Sequence, residues 1–162
     1  MIIAHLPAGY IVTHLLKGMA KKYGLSENHF MNAGLLGAIS PDLDMFYFHL
    51  IDHRQHHHHS YWSHFPIVWG TLLLVALLYM ALADNKRRPL LVSVFALNGF
   101  VHLLLDSLVG DVWWLAPFVD KAYALFSVPS LYSPWWMNFV LHWSFLVELA
   151  LVVTAGYFLS KR

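Results

Sequence analysis

Apolar residues along this chain fall in long blocks, and the polar residues that interrupt them are few and concentrated. A bilayer span needs about 20 mostly apolar residues. The stretch 65–83 is the cleanest such block, uncharged and rich in leucine. The stretch 90–109 follows, carrying Asn98, His102 and Asp106, and 135–159 is the third, carrying His142 and Glu148. A fourth candidate, 2–20, closes on Lys17, Lys21 and Lys22 at a membrane boundary. The block 30–40 is about half a span long, which predicts a re-entrant or tilted helix stopping at Pro41. Between 110 and 134, Trp113, Trp114, Tyr123 and Tyr132 suit an interfacial belt. The pattern predicts an all-α integral membrane bundle of four to five helices, one of them a half-span. With no internal repeat and no linker, residues 1–162 read as a single membrane-embedded domain.

Composition agrees with this pattern. Hydrophobic residues make up 59% and charged residues 12%, against about 25% charged in a soluble domain. Mean hydropathy is +0.55. A net charge of +1 offers nucleic acid no obvious hold. Without cysteine, no disulfide forms, and any metal must be held by nitrogen and oxygen. The N-terminus lacks a basic region followed by a small-residue cleavage pattern, and reads as retained.

Charge sets an orientation. Lys86, Arg87 and Arg88 sit between the blocks 65–83 and 90–109, Lys161 and Arg162 end the chain, and Lys17, Lys21 and Lys22 close the first helix. The opposite loops hold mostly acids: Asp42, Asp44, Asp52, Asp111 and Asp120, against Arg54 and Lys121. The positive-inside rule places the basic loops and the C-terminus in the cytoplasm and the N-terminus outside. Asp42, Asp44, the histidine burst 53–64, His102, Asp106 and His142 then all fall in or above the outer half of the bilayer.

Histidine and aspartate in lipid are costly and point to a use. His102 and Asp106 are four apart, on one helix face. They are two ligands to one ion or a packed pair. Asp42 and Asp44 follow a helix-stopping proline. Two carboxylates this close repel unless a cation lies between them; a capping turn is the other reading. In the burst, His59 and His64 flank Ser60, while His56, His57 and His58 can simply be solvated. Arg54 suits an anion fork or a salt bridge with Asp52. His5 and His14 are nine apart, near opposite sides of a helix; His14, preceded by Thr13, is the deeper. Glu148, six from His142, reads as a buried, partnered or protonated acid rather than a ligand.

Thr13-His14, Gly37-Ala38-Ile39-Ser40-Pro41-Asp42-Leu43-Asp44, His53-Arg54 leading to His59-Ser60, His102-Leu103-Leu104-Leu105-Asp106 and Ala116-Pro117-Phe118, in this order, resemble the LexA-binding, inner-membrane-associated hydrolase family, also described as membrane-bound metal-dependent hydrolases. The resemblance covers nearly the whole chain. It implies a bacterial inner-membrane helical protein with a divalent metal site. The histidine-packed insertion before Ser60 departs from the family and leaves the choice among His57, His58 and His59 open. More distantly, Asp44, then His59 or His64, then His102 with Asp106 is similar to the ligand order of the zinc-dependent phospholipase C and P1 nuclease group. The second His-x-x-x-Glu of that group is missing here.

The expected function is metal-assisted hydrolysis of a phosphoester or other ester in a lipid-borne substrate, near the outer face of the inner membrane. The expected metal ligands are His14, Asp42, Asp44, His59, His64, His102 and Asp106. Asp42 or Asp44 is the candidate base, and Arg54 the anion holder. The ion would be zinc, with manganese or iron as the other candidates. A di-iron hydroxylase or desaturase is the second enzyme reading, argued by the His-Arg and His-His pairs. A non-catalytic regulatory or metal-binding membrane protein is the third. The expected partners are membrane lipids and, through the family label, a regulatory protein, for which only 84–89 and the termini offer a cytoplasmic face.

Overall fold

Pro41 and Pro66 fix two of the chain's turning points, because proline lacks an N–H and is tolerated only in the first turn of a helix. In the computed structural model, which describes residues 1–161, Pro66 opens helix α5 (Pro66–Leu82) and Pro41 opens a 3-10 turn (Pro41–Leu43). The other helices are α1 (His5–Leu15), α2 (Lys17–Lys22), α3 (Glu27–Ile39), α4 (Asp44–Leu50), α6 (Arg87–Asp106), α7 (Trp136–Val140) and α8 (Ser144–Ser160). Two further 3-10 turns, His58–Ser60 and Trp62–His64, carry the histidine burst into α5. Among the described residues there is no β-strand; the loop between α6 and α7 is tied by a single antiparallel bridge, Val112 to Tyr123. Arg162, part of the basic C-terminus in the charge argument, lies outside the described residues.

α3 and α6 pack together at the centre, with α1 against α3, α5 against α6 and α8 against α1. Small residues set these distances. A Cβ at Gly37 would collide with the backbone of Phe95, and one at Gly34 would collide with Thr13. Phe30, Leu90, Val94 and Ala20 fill the space at one end of the α3–α6 contact. α2 ends in a Schellman turn: Gly24 takes φ +63°, and Leu25 N–H reaches back to Ala20 O at 2.9 Å.

These elements differ from the sequence pattern in three ways. The block 30–40 is not an element by itself. It belongs to a 13-residue helix whose Phe30, Gly34, Gly37 and Ala38 are buried in the bundle, as a short apolar run with small residues permits. The block 135–159 breaks at 141–143 into α7 and α8, and 2–20 breaks at Leu16 into α1 and α2. α6 is the one described helix long and apolar enough to cross a membrane; α5 and α8 are apolar but have 17 residues each.

The polar groups separate by end. Arg87 Nε–H donates to Tyr23 O at 3.3 Å, and Lys86 Nζ donates to Met80 O at 2.8 Å, where the C-terminal dipole of α5 favours a cation. The start of α1, the end of α3, the burst and the end of α6 meet at the opposite end.

Candidate metal centre

His102 and Asp106 sit one turn apart on the last two turns of α6, each 1% exposed. His102 Nδ1 lies 2.7 Å from Ala38 O in the last turn of α3. A carbonyl only accepts, so Nδ1 carries the proton and the Nε2 lone pair faces inward. His59 repeats the arrangement, with Nδ1 2.9 Å from Asp111 O. His64 repeats it with a carboxylate, Nδ1 lying 2.6 Å from Asp44 Oδ2, which also accepts from Ser63 Oγ at 2.6 Å. All three far nitrogens are thus tied, which fixes tautomer and ring angle as outer partners do at metal sites.

The three Nε2 atoms converge on two carboxylate oxygens. His102 Nε2 is 3.0 Å from Asp106 Oδ2 and 3.5 Å from Asp42 Oδ1. His64 Nε2 is 3.6 Å from Asp42 Oδ1 and 3.9 Å from Asp106 Oδ2, and His59 Nε2 is 3.7 Å from Asp106 Oδ2. Two ligands on one tetrahedral ion with bonds of about 2.0–2.1 Å stand about 3.3 Å apart, inside the observed range. His64 Nε2, His102 Nε2 and Asp106 Oδ2 are buried without a hydrogen bond. Buried polar atoms are normally satisfied, so these orphaned atoms fit a cation between them.

His5, the first residue of α1, closes the other side. Its ring stacks on His102 at 3.6 Å, with Nδ1 3.4 Å from Asp42 Oδ2 and Nε2 3.1 Å from Asp106 Oδ1. The Met1 ammonium stands 2.5 Å from Asp106 Oδ1, a positive group already drawn to the cluster. Glu148, buried in the second turn of α8, accepts from the N–H groups of Ile2 at 2.9 Å and Ile3 at 2.6 Å and holds this segment down.

The electrostatics differ from group to group. Burial pushes the Asp42 carboxyl up, but the neighbouring His102, His5 and His64 rings outweigh it and hold it well below the usual range. Burial pushes the His59 ring down to about 2, opposed in part by Asp106, and His58 down to about 4. Both are neutral imidazoles at pH 7. Burial lowers His64, but Asp42 and Asp44 outweigh it and raise the ring; an ion at Nε2 would replace its second proton. A cavity of about 560 Å³ opens onto Asp42, His58, His59 and Asp106 under the loop that follows α6. A side chain at Gly110 in that loop would press on His59 Cε1.

Asp42, His59, His64, His102 and Asp106 therefore come together, as their spacing and common side suggested. Three other residues proposed from the sequence sit elsewhere. Asp44 meets the far nitrogen of His64, on the side of that ring away from the converging Nε2 atoms. His14 lies two turns down α1, stacked on Phe158 at 4.8 Å beside Tyr10, away from the cluster. Its neighbour Thr13 hydrogen-bonds to Gly9 O and Asn98, so the Thr-His pair serves helix packing. Arg54 is exposed in a turn where His53 and Arg54 take φ of 50° and 63°, and it forms no ion pair among the described residues. Asp52, its proposed salt-bridge partner, is used by His56 at 2.7 Å. Glu148 is the buried, partnered acid that its position suggested, and His5, set behind the deeper His14 in the sequence reading, is the α1 histidine that reaches the cluster. The signal for His5 was depth: an outside N-terminus puts His5, not His14, at the level of Asp106.

An all-helical chain of membrane-type composition, with a buried histidine–aspartate centre at one end of its bundle, defines the class. The chain belongs to the YdjM inner membrane protein family, whose model matches residues 1–161. No curated protein and no solved structure matches it.

Proposed function

We propose that this chain is a membrane-embedded, metal-dependent hydrolase acting on a phosphoester or other ester of a lipid-borne substrate. The observation that carries the reading is the convergence of three Nε2 atoms, each with its far nitrogen tied: those of His64 and His102 on Asp42 Oδ1 and Asp106 Oδ2, that of His59 on Asp106 Oδ2. A divalent ion held there, zinc in our reading, would supply Lewis-acid polarisation of the scissile group and an acidified water. The chain's own residues do the rest. Asp42, held ionised by three histidines, is a poor base and serves as ligand and fixed charge. His58 lines the cavity beside the centre, 4.0 Å from the His59 ring.

For the membrane we propose α6, α5, α8 and the α1–α2 pair as the spans, with α3 returning the chain inside the bundle from the basic end to the cluster, the C-terminus cytoplasmic and the metal centre near the outer face. At 1.5 Å per residue, α6 is about 30 Å long, while α5 and α8 are about 25 Å, a little short of the hydrocarbon core. Local thinning and interfacial aromatics cover such a shortfall. Trp62 and Trp143, both exposed, precede α5 and α8 at the cluster end.

Elemental analysis of the purified protein, with turnover of extracted membrane lipids, tests the reading. Bound zinc or manganese with release of a headgroup or phosphate is the expected result. A pair of irons without hydrolysis would favour the oxidative alternative, and protein free of metal would sink the proposal.

A further inference from the structure

A second, larger cavity of about 980 Å³ lies on the other side of the Pro41–Leu43 turn, between α4, the burst and the α5–α6 pair. It is near the upper end of the roughly 300–1,000 Å³ that small-molecule sites occupy. Its walls are mostly apolar: Leu43, Val68, Trp69, Leu72 and Phe95 among them. The mouth is apolar too, since Leu43, Tyr47 and Trp62 there are 55%, 47% and 70% exposed. α4 beside it has no buried residue and exposes Phe46 and Leu50, and α5 exposes Leu74, Leu77 and Leu78 along its length. A hydrocarbon chain arriving sideways from the bilayer therefore meets these apolar side chains, the Asp52–His56 pair being the charged part of the wall.

Two polar wall residues, Tyr61 through its hydroxyl and Asp44 through Oδ1, hold a buried atom without a hydrogen bond, and of the two only the carboxylate is a pure acceptor. The hydroxyls of Ser40 and Ser60 donate to Leu36 O and His57 O, each at 2.6 Å, and Ser63 donates to Asp44 Oδ2. Asp44, its side chain 6% exposed, has spent Oδ2 on Ser63 and His64, while Oδ1 is buried without a hydrogen bond. A buried, unsatisfied carboxylate oxygen calls for a donor.

We propose that this cavity binds the hydrocarbon chain of a lipid whose headgroup gives a hydroxyl hydrogen bond to Asp44 Oδ1. The inference rests on the membrane placement proposed above and adds a substrate subsite to that reading. Because Asp44 also holds His64, an occupant of this cavity touches the residue that orients a metal ligand.

The test is photolabelling of the protein in vesicles with a monoacylglycerol bearing a diazirine on its palmitoyl chain, compared with the same chain as its methyl ester. Labelling requires neither bound metal nor turnover, so its outcome is separate from that of the hydrolase reading. The expected result is label on the peptide carrying Val68 and Leu72 or on that carrying Phe95. The methyl ester, lacking the donor, should compete about tenfold less well, the effect of losing one hydrogen bond to a charged group. Leu72→Trp and, independently, Val68→Phe fill the cavity without touching the cluster, and each should cut labelling by about tenfold with metal content unchanged. Equal labelling by the two probes would overturn the role of Asp44. Label spread along the outer faces of α5 and α8, indifferent to both substitutions, would overturn the subsite.

Discussion

His64 donates its Nδ1–H to Asp44 Oδ2 at 2.6 Å, and this bond turns its Nε2 toward Asp42 and Asp106. The relationship divides two aspartates that look alike in the sequence. Asp42 faces the converging Nε2 atoms, while Asp44, two residues on, faces the other side of His64 and sets the angle of its ring. Asp44→Asn should therefore weaken metal affinity by about 10–100-fold, as loss of an orienting partner does, without abolishing it. Competition with a chelator of known affinity measures this. An Asp44→Asn protein as metal-free as His64→Ala would return Asp44 to the ligand set.

His5 and His14 make a second contrast on one helix. His5 touches both Asp42 and Asp106, whereas His14 stacks on Phe158 nine residues later. We expect His5→Ala to lower metal occupancy and His14→Ala to leave it at the wild-type level, by elemental analysis of matched preparations. The opposite ranking would mean that the sequence reading of His14 was the better one.

What could be read in advance was whatever depended on period and side. The four-residue spacing of His102 and Asp106 dictates a shared face, and the charge bias gathers Asp42, His59, His64 and Asp106 at one end. What could not be read was whatever depended on close approach between helices. Nothing in 30–40 announces that Gly34 and Gly37 let α3 sit against Thr13 and the Phe95 backbone. Nothing in Asp42-Leu43-Asp44 announces that a 3-10 turn will send its two carboxylates to different partners. Choosing among the burst histidines needed the loop after α6, because the Asp111 carbonyl is what selects His59.

Glu148 gives a third expectation. In the sequence it sits mid-block, but the break at 141–143 brings it into the second turn of α8, where it accepts from Ile2 and Ile3. Glutamine keeps an acceptor oxygen, so Glu148→Gln should retain metal and lose little stability. Alanine leaves both N–H groups without it, and Glu148→Ala should cost about 1–3 kcal/mol, seen as a lower Tm. Metal lost in Glu148→Gln would show that the acid belongs to the ion rather than to the N-terminal segment.

Orientation is testable without knowing the chemistry. If the basic ends face the cytoplasm, a tag after Arg162 is cytoplasmic and a cysteine placed at Tyr123 is external. The introduced thiol should react with a membrane-impermeant maleimide in intact cells. Reaction only with permeant reagents would invert the topology and put the centre on the cytoplasmic side.

The strongest expectation concerns His102 and Asp106 together. Their polar atoms lie 3.0 Å apart, and Asp106 Oδ2 also faces His59 Nε2 and His64 Nε2. Asp106→Asn keeps the shape but removes the charge a cation needs, and His102→Ala removes a nitrogen from the same set. If both hold one ion, either change alone strips metal or abolishes turnover. The double variant is then hardly worse than either single one, because residues that act as a unit are non-additive. A merely packed pair behaves differently: each variant loses stability, yet metal content and turnover persist. Elemental analysis and Tm of the three variants, measured side by side, separate the two cases. Full metal occupancy after Asp106→Asn would remove Asp106 from the centre and leave the ion to Asp42 and the histidines.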